Sequence, residues 1–112
     1  MEYRVCRNNP APYNDLNGKI SLLGLGTMRL PLRDAADQTS IDEEKAQEIF
    51  DYAYAHGVNY FDTAYPYHGG MSEKFCGKAL AKYPRASYHL ASKLPGWLLN
   101  CDADVPRIFN EQ

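Results

Sequence analysis

Two side chains that can transfer protons lie close together in the middle of the sequence. Asp62 ends a short apolar run rich in β-forming residues, and Tyr67 follows in a polar stretch. The run predicts a strand over residues 58–62, and the residues beyond it predict a loop. In α/β folds the chemistry lies where parallel strands end, so both side chains are predicted to reach a cleft. A carboxylate and a phenol are both groups that take part in proton transfer.

A helix is predicted before this strand. Ser40 at the N-cap and Glu43 three residues later form a capping box, and the helix then runs to about His56. Gly57 stands where a glycine after a helix C-terminus is expected. One apolar stripe faces the core, and its members are Ala46, Ile49, Phe50 and Ala53.

A second helix, a strand and the start of a third helix are predicted beyond Tyr67. A flexible loop over residues 68–71 precedes Ser72, which caps a helix that Pro84 ends. Its inner face comprises Phe75, Cys76, Ala79 and Leu80, and Gly77 among them predicts close packing against a neighbour. Residues 87–93 form a strand that ends at Lys93, and Asp104 is the N-cap of a helix with Pro106 in its first turn. This alternation is typical of a parallel α/β sheet.

The N-terminal part is predicted to be a hairpin of residues 2–7 and 19–23, with the turn signal Asn17-Gly18 between them. Gly24 and Gly26 follow at a strand end. They do not form a dinucleotide-binding fingerprint, because Arg29 occupies the position of its third glycine. They predict a tight bend or close backbone packing instead.

Composition narrows the class of protein. Of the 112 residues, 45% are apolar and 23% charged, and the net charge is −2, so the sequence predicts a soluble globular protein without a nucleic-acid or membrane-surface patch. Cys6, Cys76 and Cys101 are scattered without a C-x-x-C motif, which predicts free thiols in a reducing compartment and no metal site. The sequence lacks a spanning apolar run and a signal peptide, which predicts a cytoplasmic protein.

Four segments together resemble the aldo-keto reductase family. They are residues 23–31 (LGLGTMRLP), 57–67 (GVNYFDTAYPY), 72–80 (SEKFCGKAL) and 91–93 (ASK). The specific part is Phe-Asp-Thr-Ala-x-x-Tyr with a Ser-Lys strand end downstream, and the resemblance runs from about residue 20 to the last residue. The stretches MRLP and YPYHGG are similar to a bacterial or archaeal subgroup whose iron–sulfur region lies further downstream.

The resemblance implies a fold and a cofactor. Family members are (β/α)8 barrels that reduce carbonyls with NADPH, and such a barrel needs roughly 250 residues. Residues 1–112 would form the incomplete N-terminal part: a hairpin, about three parallel strands and two to three helices. An iron–sulfur cluster would belong only to a region missing from the chain. Open barrel edges are predicted to cause self-association.

The resemblance also implies roles for individual residues. Tyr67 would be the general acid that protonates the carbonyl oxygen, with Lys93 beside it and Asp62 beside Lys93. A free phenol titrates near pH 10, and a neighbouring ammonium makes it a stronger acid. Gly26, Thr27 and Met28 would line the cofactor, and Asp62 would also lie near the nicotinamide ribose. The family's catalytic histidine follows a later strand, so His68 is not predicted to be that residue.

Taken singly, these residues have simpler interpretations. Asp62 alone fits a turn cap, Tyr67 a packed aromatic and Lys93 a solvated strand end. Two hypotheses stay open: the N-terminal part of an NADPH-dependent reductase of small carbonyl substrates, active only when completed, or a non-catalytic interaction or regulatory module of reductase ancestry. The loops that grip the cofactor phosphates in the family are missing here, so the chain alone is predicted not to bind NADPH tightly.

Overall fold

The computed structural model describes residues 1–5 and 19–112. Within these residues the strands are β1 (Tyr3–Val5), β2 (Lys19–Ser21), β3 (Leu25–Gly26), β4 (Tyr60–Asp62) and β5 (His89–Ala91). The α-helices of the same residues are α1 (Glu43–Ala55), α2 (Met71–Leu80) and α3 (Asp104–Glu111). Short 3₁₀ segments cover Tyr67–Gly70, Arg85–Ser87 and Gly96–Leu98. Within the described ranges, no helix has the length and apolar character needed to cross a membrane.

The N-terminal hairpin is confirmed. β1 and β2 pair antiparallel, with Tyr3 opposite Ser21. The predicted turn at Asn17-Gly18, the last residues of the first predicted strand and Cys6 lie outside the described residues. The hairpin is joined to the rest of the fold by Asn59, whose side-chain oxygen accepts a hydrogen bond from the Ser21 amide at 2.8 Å. The Asn59 side-chain amide donates to the Lys19 carbonyl at 3.1 Å.

The predicted parallel α/β sheet is also confirmed. β4 lies in the centre and pairs in parallel with β3 on one side and β5 on the other. The described ranges form an open three-stranded sheet and no closed barrel. A hairpin followed by parallel strands with helices between them is the arrangement expected of the N-terminal part of a (β/α)8 barrel.

Helix α1 begins later than predicted. Its N-cap is Asp42, whose carboxylate accepts a hydrogen bond from the Lys45 amide, so the assignment of Ser40 was wrong. The chain is still extended at Ile41, which bridges to Leu32, and the Ser40 hydroxyl is used earlier, where it donates to the Asp37 carbonyl at 2.7 Å.

The C-terminus of α1 is as predicted. Gly57 has φ of +88°, and its amide donates to the Tyr54 carbonyl, while the Val58 amide donates to the Ala53 carbonyl. These two bonds form a Schellman motif, which requires a left-handed residue at the Gly57 position.

Helix α2 confirms its predicted inner face, since Phe75, Cys76, Ala79 and Leu80 are all buried. Two other predictions for it were wrong. The N-cap is Gly70, with φ of +89°, whereas Ser72 lies inside the first turn and is fully buried. Gly77 is exposed, and a Cβ built on it would have no neighbouring atom within 4 Å, so no close packing requires a glycine there.

Helix α3 forms with Pro106 in its first turn, but Ala103 is the N-cap and Asp104 is the first helical residue. The predicted cap at Asp104 was wrong because its carboxylate is used elsewhere. It accepts hydrogen bonds from the Asn100 amide at 2.8 Å and the Cys101 amide at 3.2 Å, and it pairs with Arg107. Asp104 therefore closes the loop that leads into the helix.

Three phenylalanines form the centre of the core between the helices and the sheet. Phe50 of α1 stacks on Phe61 of β4 with ring centroids 5.3 Å apart, and it meets Phe75 of α2 edge-to-face at 5.4 Å. Such pairs add to the free energy gained by burying the rings. Of the stripe predicted on α1, Ala46 and Phe50 are fully buried, whereas Ile49 is exposed. The core therefore fixes β4, and with it the loop that carries Asp62 and Tyr67.

Candidate active site

The strand register brings three strand ends to one edge of the sheet. Asp62, the last residue of β4, pairs with Gly26 on one side and with Ala91 on the other. Parallel pairing continues for one residue beyond the strands, because the Thr27 amide donates to the Asp62 carbonyl at 2.9 Å and the Thr63 amide donates to the Ala91 carbonyl at 2.8 Å. Side chains that follow β3, β4 and β5 therefore meet at a common rim.

Lys93 lies just beyond β5 and reaches across to β4. Its ammonium donates to the Asp62 carboxylate at 2.6 Å and to the Thr63 carbonyl at 2.9 Å. The ion pair is partly open to solvent, since the Lys93 side chain is 50% exposed and that of Asp62 is 35% exposed. The two acceptors fix the ammonium above the end of β4.

Tyr67 completes the group from the loop after β4. The Lys93 nitrogen lies 5.0 Å from the centroid of the Tyr67 ring, within the range of a cation–π contact. Burial opposes the charge on Lys93, but hydrogen bonding to Asp62 and interaction with the Tyr67 phenol outweigh it and raise the pKa of Lys93. The structure thus brings together all three residues that the sequence singled out, and the lysine beside the phenol stays positively charged at neutral pH.

The residues predicted to line a cofactor differ in their surroundings. Gly26 and Met28 are exposed at the end of β3, and a Cβ built on Gly26 would have no neighbour within 4 Å. Thr27 is fully buried, and its hydroxyl donates to the Asp62 carbonyl at 2.9 Å. Gly26 and Met28 therefore present open surface beside Asp62, whereas the Thr27 side chain is occupied within the protein.

A buried chain of hydroxyl groups supports this rim. The Ser72 hydroxyl lies 2.8 Å from that of Thr27 and 2.9 Å from that of Thr63, so one side chain of α2 contacts the ends of both β3 and β4. Cys76 lies one turn further along α2, fully buried, and burial raises the pKa of its thiol. Sequence reasoning missed this support because a serine at the start of a helical pattern favours the capping interpretation.

His68 is the second feature that sequence reasoning missed. The prediction of a loop at residues 68–71 was wrong, because Tyr67–Gly70 form a short 3₁₀ turn in which His68 is buried, and Met71 already begins α2. Its ring accepts a hydrogen bond from the Leu30 amide at Nε2 (3.1 Å) and contacts the Gln38 carbonyl through Nδ1 (2.9 Å). His68 also has φ of +53°, an unusual conformation for a residue with a side chain.

A cavity of about 420 Å³ lies on another face of the Tyr67 loop. Its lining residues include Tyr65, Gly70, Glu73 and Leu98. Asp62, Tyr67 and Lys93 do not line it. The cavity is thus separate from the group at the strand ends.

Comparison with known proteins identifies the family. The sequence profile described as "Aldo/keto reductase family" matches residues 22–109, which is most of the chain. The chain belongs to the aldo/keto reductase family. The matched range contains Asp62, Tyr67 and Lys93 together with all the helices except the end of α3.

Individual proteins with reductase names are similar to the chain over shorter stretches. "Aldo-keto reductase dtxS3" of Metarhizium robertsii is 49% identical over 55 residues, which is 47% of this chain and 15% of the relative. "Probable aldo-keto reductase 1" of Glycine max is 33% identical over 75 residues, 67% of this chain and 21% of the relative. "Norsolorinic acid reductase B" of Dothistroma septosporum is 32% identical over 91 residues, 80% of this chain and 23% of the relative. The matched part of the chain thus spans about a fifth of the length of these curated relatives.

Proposed function

We propose that this aldo/keto reductase chain supplies the acid–base part of a site that reduces an aldehyde or ketone to an alcohol with NADPH. The observation that carries the proposal is the contact of Lys93 with Asp62 at 2.6 Å and with the face of the Tyr67 ring at 5.0 Å, all at one rim. The names of the matched relatives, which are reductases, support the reaction class.

Tyr67 is the proton donor in this proposal. A phenol is a weak acid near neutral pH, and an ammonium beside it stabilises the phenolate that remains once the proton has moved to the carbonyl oxygen. Lys93 can play this part because it stays charged, and Asp62 and the Thr63 carbonyl hold it in place. Acid catalysis by a positioned side chain contributes about 10²–10⁴-fold to a rate.

The end of β3 fits one part of the proposed cofactor. NADPH supplies the hydride that the carbonyl carbon receives. Gly26 and Met28 leave open surface next to Asp62, which suits the approach of a flat ring and its ribose. The Asp62 carboxylate is partly exposed and can accept a hydrogen bond from a ribose hydroxyl while it holds Lys93. Thr27 contributes by its buried contacts to Asp62 and Ser72, and its hydroxyl is not free for the cofactor.

The proposal is tested by NADPH oxidation in the presence of a panel of small aldehydes and ketones. The assay uses the purified chain and a chimera in which the chain replaces the matching segment of the Glycine max relative. We expect the chimera to be active and Tyr67→Phe to lower its kcat by about 100-fold or more, since the phenol is the acid. Tyr65→Phe, in the same loop, is the matched control and should leave kcat within about twofold.

Lys93→Met tests the second role. Without the ammonium, the phenolate that forms as the proton moves to the carbonyl oxygen loses its stabilising charge, so turnover should fall. Unchanged turnover in Lys93→Met would contradict the assigned roles. A chimera without activity that still folds and binds NADPH would favour the non-catalytic alternative.

A further inference from the structure

The ring of His68 joins two loops that leave the sheet from different strands. Its own segment follows β4 and begins with Tyr67. Its two hydrogen-bond partners, Leu30 and Gln38, belong to the loop between β3 and α1. Because Leu30 is buried in the core and lies two residues after Met28, the ring connects the Tyr67 turn to the segment that borders the proposed cofactor surface.

The hydrogen bonds define the state of the imidazole. A backbone amide can only donate, so Nε2 accepts from Leu30 and carries no proton. A backbone carbonyl can only accept, so Nδ1 carries the proton that is donated to Gln38. The ring is therefore neutral, with its proton on Nδ1, and both nitrogens are satisfied within the protein.

The backbone at His68 has a positive φ, which is uncommon for a residue with a side chain. A φ of +53° is unfavourable for a residue with a Cβ. A second contact presses the same turn against the same loop, because a Cβ built on Gly69 would lie 2.9 Å from Thr39 Cγ2. Unfavourable backbone conformations persist only where the surroundings enforce them, and they are concentrated at functional sites.

We propose that His68 is a positioning residue for Tyr67: its neutral imidazole locks the turn that follows the phenol onto the β3–α1 loop. Tyr67 is then held on its N-terminal side by β4 and on its C-terminal side by the ring. This inference rests on the proposed function only in its consequence for turnover. The lock itself is a property of the fold and can be tested without activity.

The first test is nuclear magnetic resonance on the ¹⁵N-labelled chain. The ring nitrogens of His68 should report a protonated Nδ1 and an unprotonated Nε2 at neutral pH, and the signals that disappear in His68→Gly identify this ring. A ring with its proton on Nε2, or one that exchanges rapidly between both forms, would overturn the proposal.

The second test separates the ring from the backbone. His68→Gly permits the positive φ but removes both hydrogen bonds. Hydrogen exchange of the Leu30 amide should therefore become faster by about tenfold or more, while that of the Phe50 amide changes by no more than about twofold. Nuclear Overhauser contacts between the Tyr67 ring and Lys93 should weaken at the same time. His68→Asn, which tolerates positive φ and keeps polar atoms at this position, should recover part of both effects. His68→Gly with unchanged Leu30 exchange and unchanged Tyr67 contacts would show that the ring positions nothing.

The third test uses the active chimera. His68→Gly should lower kcat by about tenfold or more with KM for the carbonyl within about threefold, because misplacement of the acid affects the transition state more than binding. A rise in KM for the carbonyl with unchanged kcat would contradict the proposal. If Tyr67→Phe leaves activity intact, the proposed function fails, whereas the ring and exchange measurements still decide whether the lock exists.

Discussion

At the residue scale, Asp51 of α1 shows how one carboxylate joins two helical segments. It accepts hydrogen bonds from the Lys82 ammonium at 2.6 Å, from the Gln47 amide at 2.7 Å and from the Tyr83 hydroxyl. Hydrogen bonding from Lys82 and then from Tyr83 lowers the pKa of Asp51 from 3.8 to about 2. The ionised carboxylate therefore stabilises the contact between α1 and the end of α2.

The pKa shift of Asp51 predicts a pH-dependent contribution to stability. Because the folded pKa lies below the unfolded one, the contribution is present above about pH 4 and is lost as the pH falls through about 2. Asp51→Asn should cost about 1 kcal/mol at pH 7, a modest amount because the side chain is 42% exposed and solvent screens the pair. Urea unfolding of both proteins should show that the difference in the free energy of unfolding disappears between these pH values. Glu48→Gln, which removes an exposed carboxylate on the same helix, should change the free energy of unfolding little at any pH. A difference that does not vary with pH would contradict this account.

The sequence predicted which side chains meet at the strand ends better than it predicted what supports them. Asp62 and Lys93 end predicted strands and Tyr67 follows one of them, and the family resemblance linked the three. Ser72 and His68 could not be found in this way, since each depends on partners about 40 residues away in sequence, Thr27 and Leu30. Local patterns contain no information on which distant backbone group a side chain will bind.

At the element scale, helices were predicted correctly and their starts were not. The apolar spacing located α1 and α2, because burial of one face selects a helical period, and Pro106 indicated the start of α3. In every case, however, the residue predicted as N-cap has another use: Ser40 binds the preceding loop, Ser72 the strand ends, and Asp104 the loop before α3. A side-chain oxygen that satisfies a helix amide can equally satisfy a tertiary partner, and sequence does not decide between them.

One glycine inside a helix and one just after a helix predict opposite effects of the same substitution. Gly77→Ala should stabilise the protein by about 1 kcal/mol, because Gly77 lies exposed inside α2 with open space around it. Gly57→Ala should destabilise it by more than about 1 kcal/mol, since φ is +88° and the new Cβ would lie 2.5 Å from the Tyr3 hydroxyl oxygen. Urea unfolding at neutral pH measures both. Equal changes of the free energy of unfolding in the same direction would show that the local backbone conformation does not determine the effect of alanine at these two positions.

At the scale of the whole molecule, the described ranges leave β3 and β5 with one neighbour each. Exposed apolar side chains lie near β5 and in the segments that follow it, among them Leu90, Trp97, Leu98 and Phe109. Strand edges with free amide and carbonyl groups, next to apolar surface, invite pairing with another chain. A sequence pattern can predict that these strands exist, but only the assembled sheet shows which of them lie at an edge.

We therefore expect the chain to self-associate. Sedimentation velocity over a roughly hundredfold range of concentration should show a mass that rises with concentration. Leu90→Lys, which places a charge on the edge strand β5, should reduce the association, whereas Tyr52→Lys on the exposed face of α1 should not. A monomer at every concentration would refute the expectation, and equal effects of both variants would place the contact away from the sheet edge.

The hydroxyl groups beneath the Asp62–Lys93 pair have one further property. The Asp62 carbonyl can only accept, so Thr27 must donate to it, and each hydroxyl has a single proton. Ser72 must then donate to Thr27, and Thr63 to Ser72, so the three O–H dipoles are aligned in one direction. Aligned donors polarise one another. Their row ends on the carbonyl oxygen of Asp62, the residue whose carboxylate binds Lys93. The strand edge thus has a built-in electrical polarity before any ligand arrives, and the central serine is the only member whose loss would divide the row in two.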